Sequence, residues 1–132
     1  MASLKQIGIA VVEHAGRYLV GVRGPDVPLA GFAEFPGGKC LTDESPFDCA
    51  VRECLEETGL IVIPERLLQH REFEHPHGPV SLHFVLCHPA NQNDVQDQHQ
   101  QFRWENAQDL KGLKFPEANA DVIDLISQVN DD

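Results

Sequence analysis

Short apolar runs separated by polar, glycine-bearing breaks fill the opening third of the chain. Ile7 to Val12 and Tyr18 to Val22 have the length of strands, and Glu13-His14-Ala15-Gly16-Arg17 between them reads as the turn of a hairpin. Gly24-Pro25-Asp26-Val27-Pro28 begins a loop leading to Glu34 to Lys39, where paired glycines let backbone approach a ligand closely.

A helical period follows. At about 100° per residue, Phe47, Ala50, Val51, Cys54 and Thr58 share one face. Ser45 is a good N-cap, Pro46 suits the first helical position, and Asp48 completes a box-like Ser-x-x-Asp. Gly59 is placed to close the helix in a left-handed conformation.

Beyond the helix, Leu60 to Ile63 predicts a strand start stopped by Pro64. Arg66 to Phe73 and Val80 to Cys87 read as strands around a turn at His75-Pro76-His77-Gly78-Pro79. In the second, Val80, Leu82, Phe84 and Leu86 alternate with Ser81 and His83, the period of a half-buried strand. Asn91 to Gln101 is a polar, Gln-rich loop expected to lie over the site, and Phe102 to Glu105 a short last strand. Pro116 and Glu117 open a final helix with Val122, Ile123, Leu125, Ile126 and Val129 on its apolar side. Helices alternating with strands of mixed direction predict an α/β/α sandwich with a mixed central sheet.

The 132 residues suit one domain, spanning 1–132, with a core of its own. No apolar run approaches the roughly 18 residues that cross a membrane, and the N-terminus lacks a signal-peptide layout, so the expected location is cytoplasmic. The four cysteines, Cys40, Cys49, Cys54 and Cys87, lack CxxC spacing and read as reduced thiols, mostly in the core. Seven histidines without HExxH spacing read mostly as loop residues. A formal charge of −11 argues against direct binding of nucleic acid, which needs Lys and Arg against phosphates.

The helix also carries chemistry. Glu53, Glu56 and Glu57 crowd onto an arc away from the packing face, and like charges at this spacing destabilise a helix unless solvent or a cation separates them. Hard divalent cations such as Mg²⁺ take oxygen ligands and share them with phosphate and water. A phosphorylated substrate arriving with its metal would make so acidic a pocket attractive.

The stretch Gly38, five residues, Glu44, seven residues, then Arg52-Glu53-Cys54-Leu55-Glu56-Glu57-Thr58-Gly59-Leu60 resembles the signature box of the Nudix hydrolases over 38–60. Cys54 stands where the family usually has an aliphatic residue. Ala33-Glu34-Phe35-Pro36-Gly37-Gly38-Lys39, Trp104 and Phe115-Pro116-Glu117-Ala118-Asn119 resemble the MutT-like branch, so most of the chain is covered.

That resemblance implies a Nudix-type fold and a Mg²⁺-dependent nucleoside triphosphate pyrophosphohydrolase acting on 8-oxo-dGTP or a related dNTP, with Mn²⁺ as a substitute ion. It implies Glu53 and Glu57 as principal metal ligands, Glu56 assisting, and the Gly37 carbonyl as a non-carboxylate ligand. Glu53 would also orient or deprotonate water, Arg52 would orient a box carboxylate, and Glu44 would support the helix entrance. Arg23, Glu34, Phe35, Pro36, Gly37 and Asn119 would meet the nucleotide, Asn119 offering both donor and acceptor to a purine edge. Where some members have a distal acidic ligand or base, this chain has Gln98, with Asp97 nearest and Asp94 further off. His75 and Gly78 replace the branch's aromatic and basic residues around Pro76, although His75 can still stack on a base. The alternatives are a Nudix hydrolase of CTP, a modified pyrimidine triphosphate or an ADP-ribose-like nucleotide sugar, and a catalytically silent nucleotide-binding module. A monomer or weak dimer is expected.

Overall fold

The computed structural model describes residues 4–76 and 78–129, with the side chains of His75 and Val129 excepted. The expectations for the His75 and Val129 side chains and for His77 therefore lie outside the described residues. Eight strands form one mixed sheet: β1 (Lys5–His14), β2 (Arg17–Val22), β3 (Ala33–Glu34), β4 (Gly37–Lys39), β5 (Val62–His75), β6 (Gly78–Pro89), β7 (Gln98–His99) and β8 (Phe102–Asn106). Their order is β5-β6-β1-β2-β8-β7, with β3 on β2 and β4 on β1. Helix α1 (Pro46–Thr58) lies between β4 and β5, and α2 (Ala120–Val129) closes the described chain.

Alternation along the strands decides which helix each face receives. Ala10, Val12, Leu19, Val85, Cys87 and Phe102 pack with Ala50 and Cys54 of α1. Val11, Tyr18, Val20, Leu82 and Phe84 point the other way, onto Leu110 and the Val122, Ile123 and Ile126 stripe of α2. Each face thus has its own apolar core, which makes the expected α/β/α sandwich. Burial places Cys49, Cys54 and Cys87 inside, and all four cysteines are free thiols.

The centre of the sheet positions the site. β1 runs parallel to β6, from Lys5 beside Val80 to Val12 beside Cys87, while Ile7, Gly8 and Ile9 also pair antiparallel with Lys39, Gly38 and Gly37 of β4. Further on, Glu13 and His14 pair with β2. β1 therefore changes partners midway, and Ala10 N–H bridges the change by donating to the Pro36 carbonyl at 2.7 Å.

Three sequence expectations need correction, the first being that the histidines are mostly loop residues: His14, His70, His83, His88 and His99 all lie in strands. Pro64 does not stop the strand: it sits within β5 opposite Cys87, with a register shift between Pro64 and Arg66. β5 lies at an edge of the sheet, where a residue with no N–H to donate is tolerated beside a bulge. The last helix begins later than expected, because Glu117–Asn119 forms a 3₁₀ turn ahead of α2. Among the described residues, no helix is long and apolar enough to cross a membrane.

Candidate active site

Capping fixes α1 at both ends. The Ser45 hydroxyl accepts from Asp48 N–H at 3.0 Å, and Gly59 adopts φ 78°, its N–H donating to the Leu55 carbonyl. Residues with a side chain enter this left-handed conformation only at a cost, which explains glycine there. The helix buries Cys49, Ala50, Cys54 and Thr58 against the sheet, and this leaves Glu53 and Glu57 facing the short strand β4.

Contacts to β4 are made through backbone. Gly37 N–H donates to the Glu57 carboxylate at 2.8 Å. A Cβ on Gly38 would lie 2.5 Å from Glu53 Cδ, so the absence of a side chain is what lets the Glu53 carboxylate rest on the loop. Burial pushes the Glu57 carboxyl up to about 7; the Gly37 N–H opposes the rise, and the charges of Glu53, Glu34 and Glu56 add to it. Such crowding marks a functional site more often than a structural one.

Arg52 organises the arc from its outer side. Its Nε and Nη2 donate to the two Glu44 oxygens at 2.8 and 2.9 Å, and Nη1 reaches both Glu53 Oε1 and Glu56 Oε2 at 3.1 Å. Nη2 also donates to the Lys39 carbonyl at 3.1 Å, tying α1 to β4. The guanidinium holds Glu44 down at about 2, with help from Leu41 N–H. One cation is therefore shared among three carboxylates, and Glu57 is outside its reach.

Across Gly37 and Gly38 opens a cavity of about 240 Å³, lined by Ile7, Ile9, Phe73, Leu82 and Ala118 with Arg23, Glu34 and Asn119 as its polar members. Arg23 Nη1 pairs with Glu34 at 3.2 Å while its Nε donates to the Pro28 carbonyl at 2.7 Å. Asn119 lines the cavity, and its Nδ2 donates to the Pro116 carbonyl at 3.4 Å. Phe35 touches the cavity but is 6% exposed and stacks on Phe115 at 5.1 Å, so most of its ring is core. Pro36 is fully buried beside the cavity-lining Phe35 and Gly37, and its carbonyl holds the loop by accepting from Ala10 N–H.

The polar loop also departs from expectation. Asp94, Gln96, Gln98 and His99 line a groove beside Thr58 and Gly59 at the end of α1, whereas Asp97 is exposed and outside it. Trp104 Nε1 donates to the Gln96 carbonyl at 2.8 Å and anchors the loop there. Sequence reading passed over Ile7, Ile9, Phe73 and Leu82 as cavity residues, because each carries only the signal of a strand residue.

Comparison with known proteins agrees with this arrangement. The sequence matches the NUDIX domain over residues 4–126. It is 32% identical to the 8-oxo-dGTP diphosphatase of Buchnera aphidicola subsp. Acyrthosiphon pisum over 97 residues, 74% of this chain and 78% of that protein. Against the CTP pyrophosphohydrolase of Escherichia coli K12 the identity is 28% over 123 residues, 89% of this chain and 85% of that one. The solution structure of MutT from methicillin-resistant Staphylococcus aureus 252 shares the fold, with TM-score 0.78 and 23% identity over 98% of this chain and 100% of that chain. With the signature helix, its backbone cradle and the NUDIX match over nearly the whole chain, this protein belongs to the Nudix family as a MutT-like hydrolase of phosphoanhydride bonds.

Proposed function

We propose that the chain is a Mg²⁺-dependent nucleoside triphosphate pyrophosphohydrolase of the MutT type. It would hydrolyse 8-oxo-dGTP or a related purine dNTP to the monophosphate and pyrophosphate, clearing damaged nucleotides from the DNA precursor pool. One observation carries the reading: an apolar cavity and a carboxylate arc share the Gly37–Gly38 backbone as their common wall. A base held on one side of that wall leaves its phosphates to run along the other.

The donor set fits a hard divalent ion. Glu53, Glu56, Glu57 and the Gly37 carbonyl offer only oxygen, and a cation would offset both the burial that chiefly pushes Glu57 up and the neighbouring glutamate charges that add to it. When bound, Mg²⁺ supplies charge neutralisation at the phosphates and acidifies a coordinated water. Glu53 orients the attacking water and accepts its proton, and Arg52 fixes Glu53 against Glu44. Arg23 and Glu34 hold the mouth of the cavity, and Asn119 presents its amide to the edge of the base. The net charge of −11 accords with a free nucleotide as partner in preference to a polynucleotide.

A second reading keeps the chemistry and changes the base to cytosine, favoured by the likeness to a CTP pyrophosphohydrolase over 89% of the chain. Measuring kcat/KM with Mg²⁺ for 8-oxo-dGTP, dGTP, CTP and ADP-ribose separates the two. The purine proposal expects 8-oxo-dGTP to lead; preference for CTP selects the second reading, and no pyrophosphate from any triphosphate sinks both.

A further inference from the structure

Beside the carboxylate arc lies a second cluster whose two thiols the hydrolase reading leaves unused. The thiols of Cys40 and Cys49 and a carboxylate oxygen of Glu44 all lie within 4.8 Å of one another, at the junction between the end of β4 and the first turns of α1. Cys49 is fully buried and its Sγ donates to the Gly38 carbonyl at 3.3 Å. Cys40 and Glu44 are only half-buried, and the intervening Leu41, Thr42 and Asp43 are exposed, so an ion can reach the cluster from solvent.

We propose that Cys40, Cys49 and Glu44 form a site for a thiophilic divalent cation of the Zn²⁺ and Cd²⁺ class. Two thiolates and one carboxylate are a donor set for such ions, and a hard ion like Mg²⁺ does not compete for it. Zinc–sulfur bonds of about 2.3 Å and zinc–oxygen bonds of about 2.0–2.2 Å, arranged tetrahedrally, bring the ligand atoms to within roughly 4 Å of one another. The cluster needs little closure to reach that. Binding balances simply: the ion displaces both thiol protons to solvent, and water takes the fourth position. Leu41 N–H and two Arg52 N–H groups occupy three of the roughly four lone-pair directions of the Glu44 carboxylate, and the fourth faces the Cys49 thiol, whose proton the ion displaces.

Occupancy has a consequence that rests on the hydrolase reading. An ion at Glu44 draws on the same carboxylate charge and weakens its hold on Arg52, and Arg52 is also the partner of Glu53 and Glu56. The site would then act as an inhibitory one, separate from the Mg²⁺ ligands.

Titrating phosphine-reduced protein with Cd²⁺ in excess Mg²⁺ tests the site without any substrate. The expected result is a sulfur-to-cadmium charge-transfer band that saturates at one equivalent, with two protons released per ion, and that is lost in both Cys40→Ser and Cys49→Ser. Because Cys49 is buried and its serine variant is liable to misfold, the half-exposed Cys40→Ser carries the test. No band at one equivalent, or a band undiminished in Cys40→Ser, overturns the site. Cys40→Ser is further expected to hydrolyse nucleotide normally while losing inhibition by Cd²⁺. The band stands or falls whether or not any nucleotide proves to be a substrate.

Discussion

The carboxylate arc on α1 and the apolar cavity beyond Gly37 and Gly38 are neighbours built in opposite ways. The arc comes from one helix and the strand just before it, so its members are close in sequence and their spacing follows from the helical period. The cavity is assembled from β1, β3, β4, β5, β6, the loop after β2 and the turn before α2, and it exists only once β1 has changed partners. A locally encoded array varies little without losing its chemistry. A wall drawn from seven segments can be altered one residue at a time, which suits it to set specificity.

If that division holds, the two sides must fail differently. Glu53→Gln should lower kcat by about 10²–10⁴-fold, the usual loss on removing an acid–base group, with little change in nucleotide KM. Steady-state rates with saturating Mg²⁺ check this; unaltered turnover would remove Glu53 from the chemistry. Gly38→Ala should come next, at about 10²-fold in kcat, because its Cβ would displace the Glu53 carboxylate while leaving every chemical group present.

Across the wall, Asn119→Ala should cost on the order of 10-fold in kcat/KM for the preferred base, a single neutral hydrogen bond, through KM and with kcat preserved. An equal loss for every base would show that Asn119 does not read the base at all.

The smallest effect concerns stability. The carboxyl of Glu57 stands at about 7 in the fold against an ordinary 4.5, so the stabilisation from holding it protonated is complete below about pH 4.5 and is lost as pH rises through about 7. Glu57→Gln should therefore raise the Tm of metal-free protein by a few degrees at about pH 8 and leave it unchanged at about pH 4, while weakening Mg²⁺ binding. Thermal melts in chelator, paired with Mg²⁺ titrations at both pH values, measure the exchange of stability for function.

How much of this was legible in the sequence follows the same divide. Ser45, Pro46 and Gly59 bracket α1 through local backbone chemistry, and its packing face could be counted off in steps of 100°. Pro64 falls outside what the sequence can show, because a proline ends a strand only when its missing N–H faces a partner, and nothing in the sequence says that β5 lies at an edge. Phe73 and Leu82 look like any strand residues; their place beside Asn119 depends on register between segments far apart in the chain. The hydrogen bond from Gly37 N–H to Glu57 is backbone to side chain, and residue identity alone cannot report a direction of approach.

The double pairing of β1 also has a kinetic side. Ile7, Gly8 and Ile9 find one neighbour in β4 early in the chain and the other only in β6, after α1 and β5 have been made. During synthesis the carboxylate helix thus leaves the ribosome before Val85 and Cys87 exist to cover its apolar side. Closing so long a loop is a slow step that local contacts cannot hasten, and until it is complete the incomplete sheet is the species most exposed to misassembly.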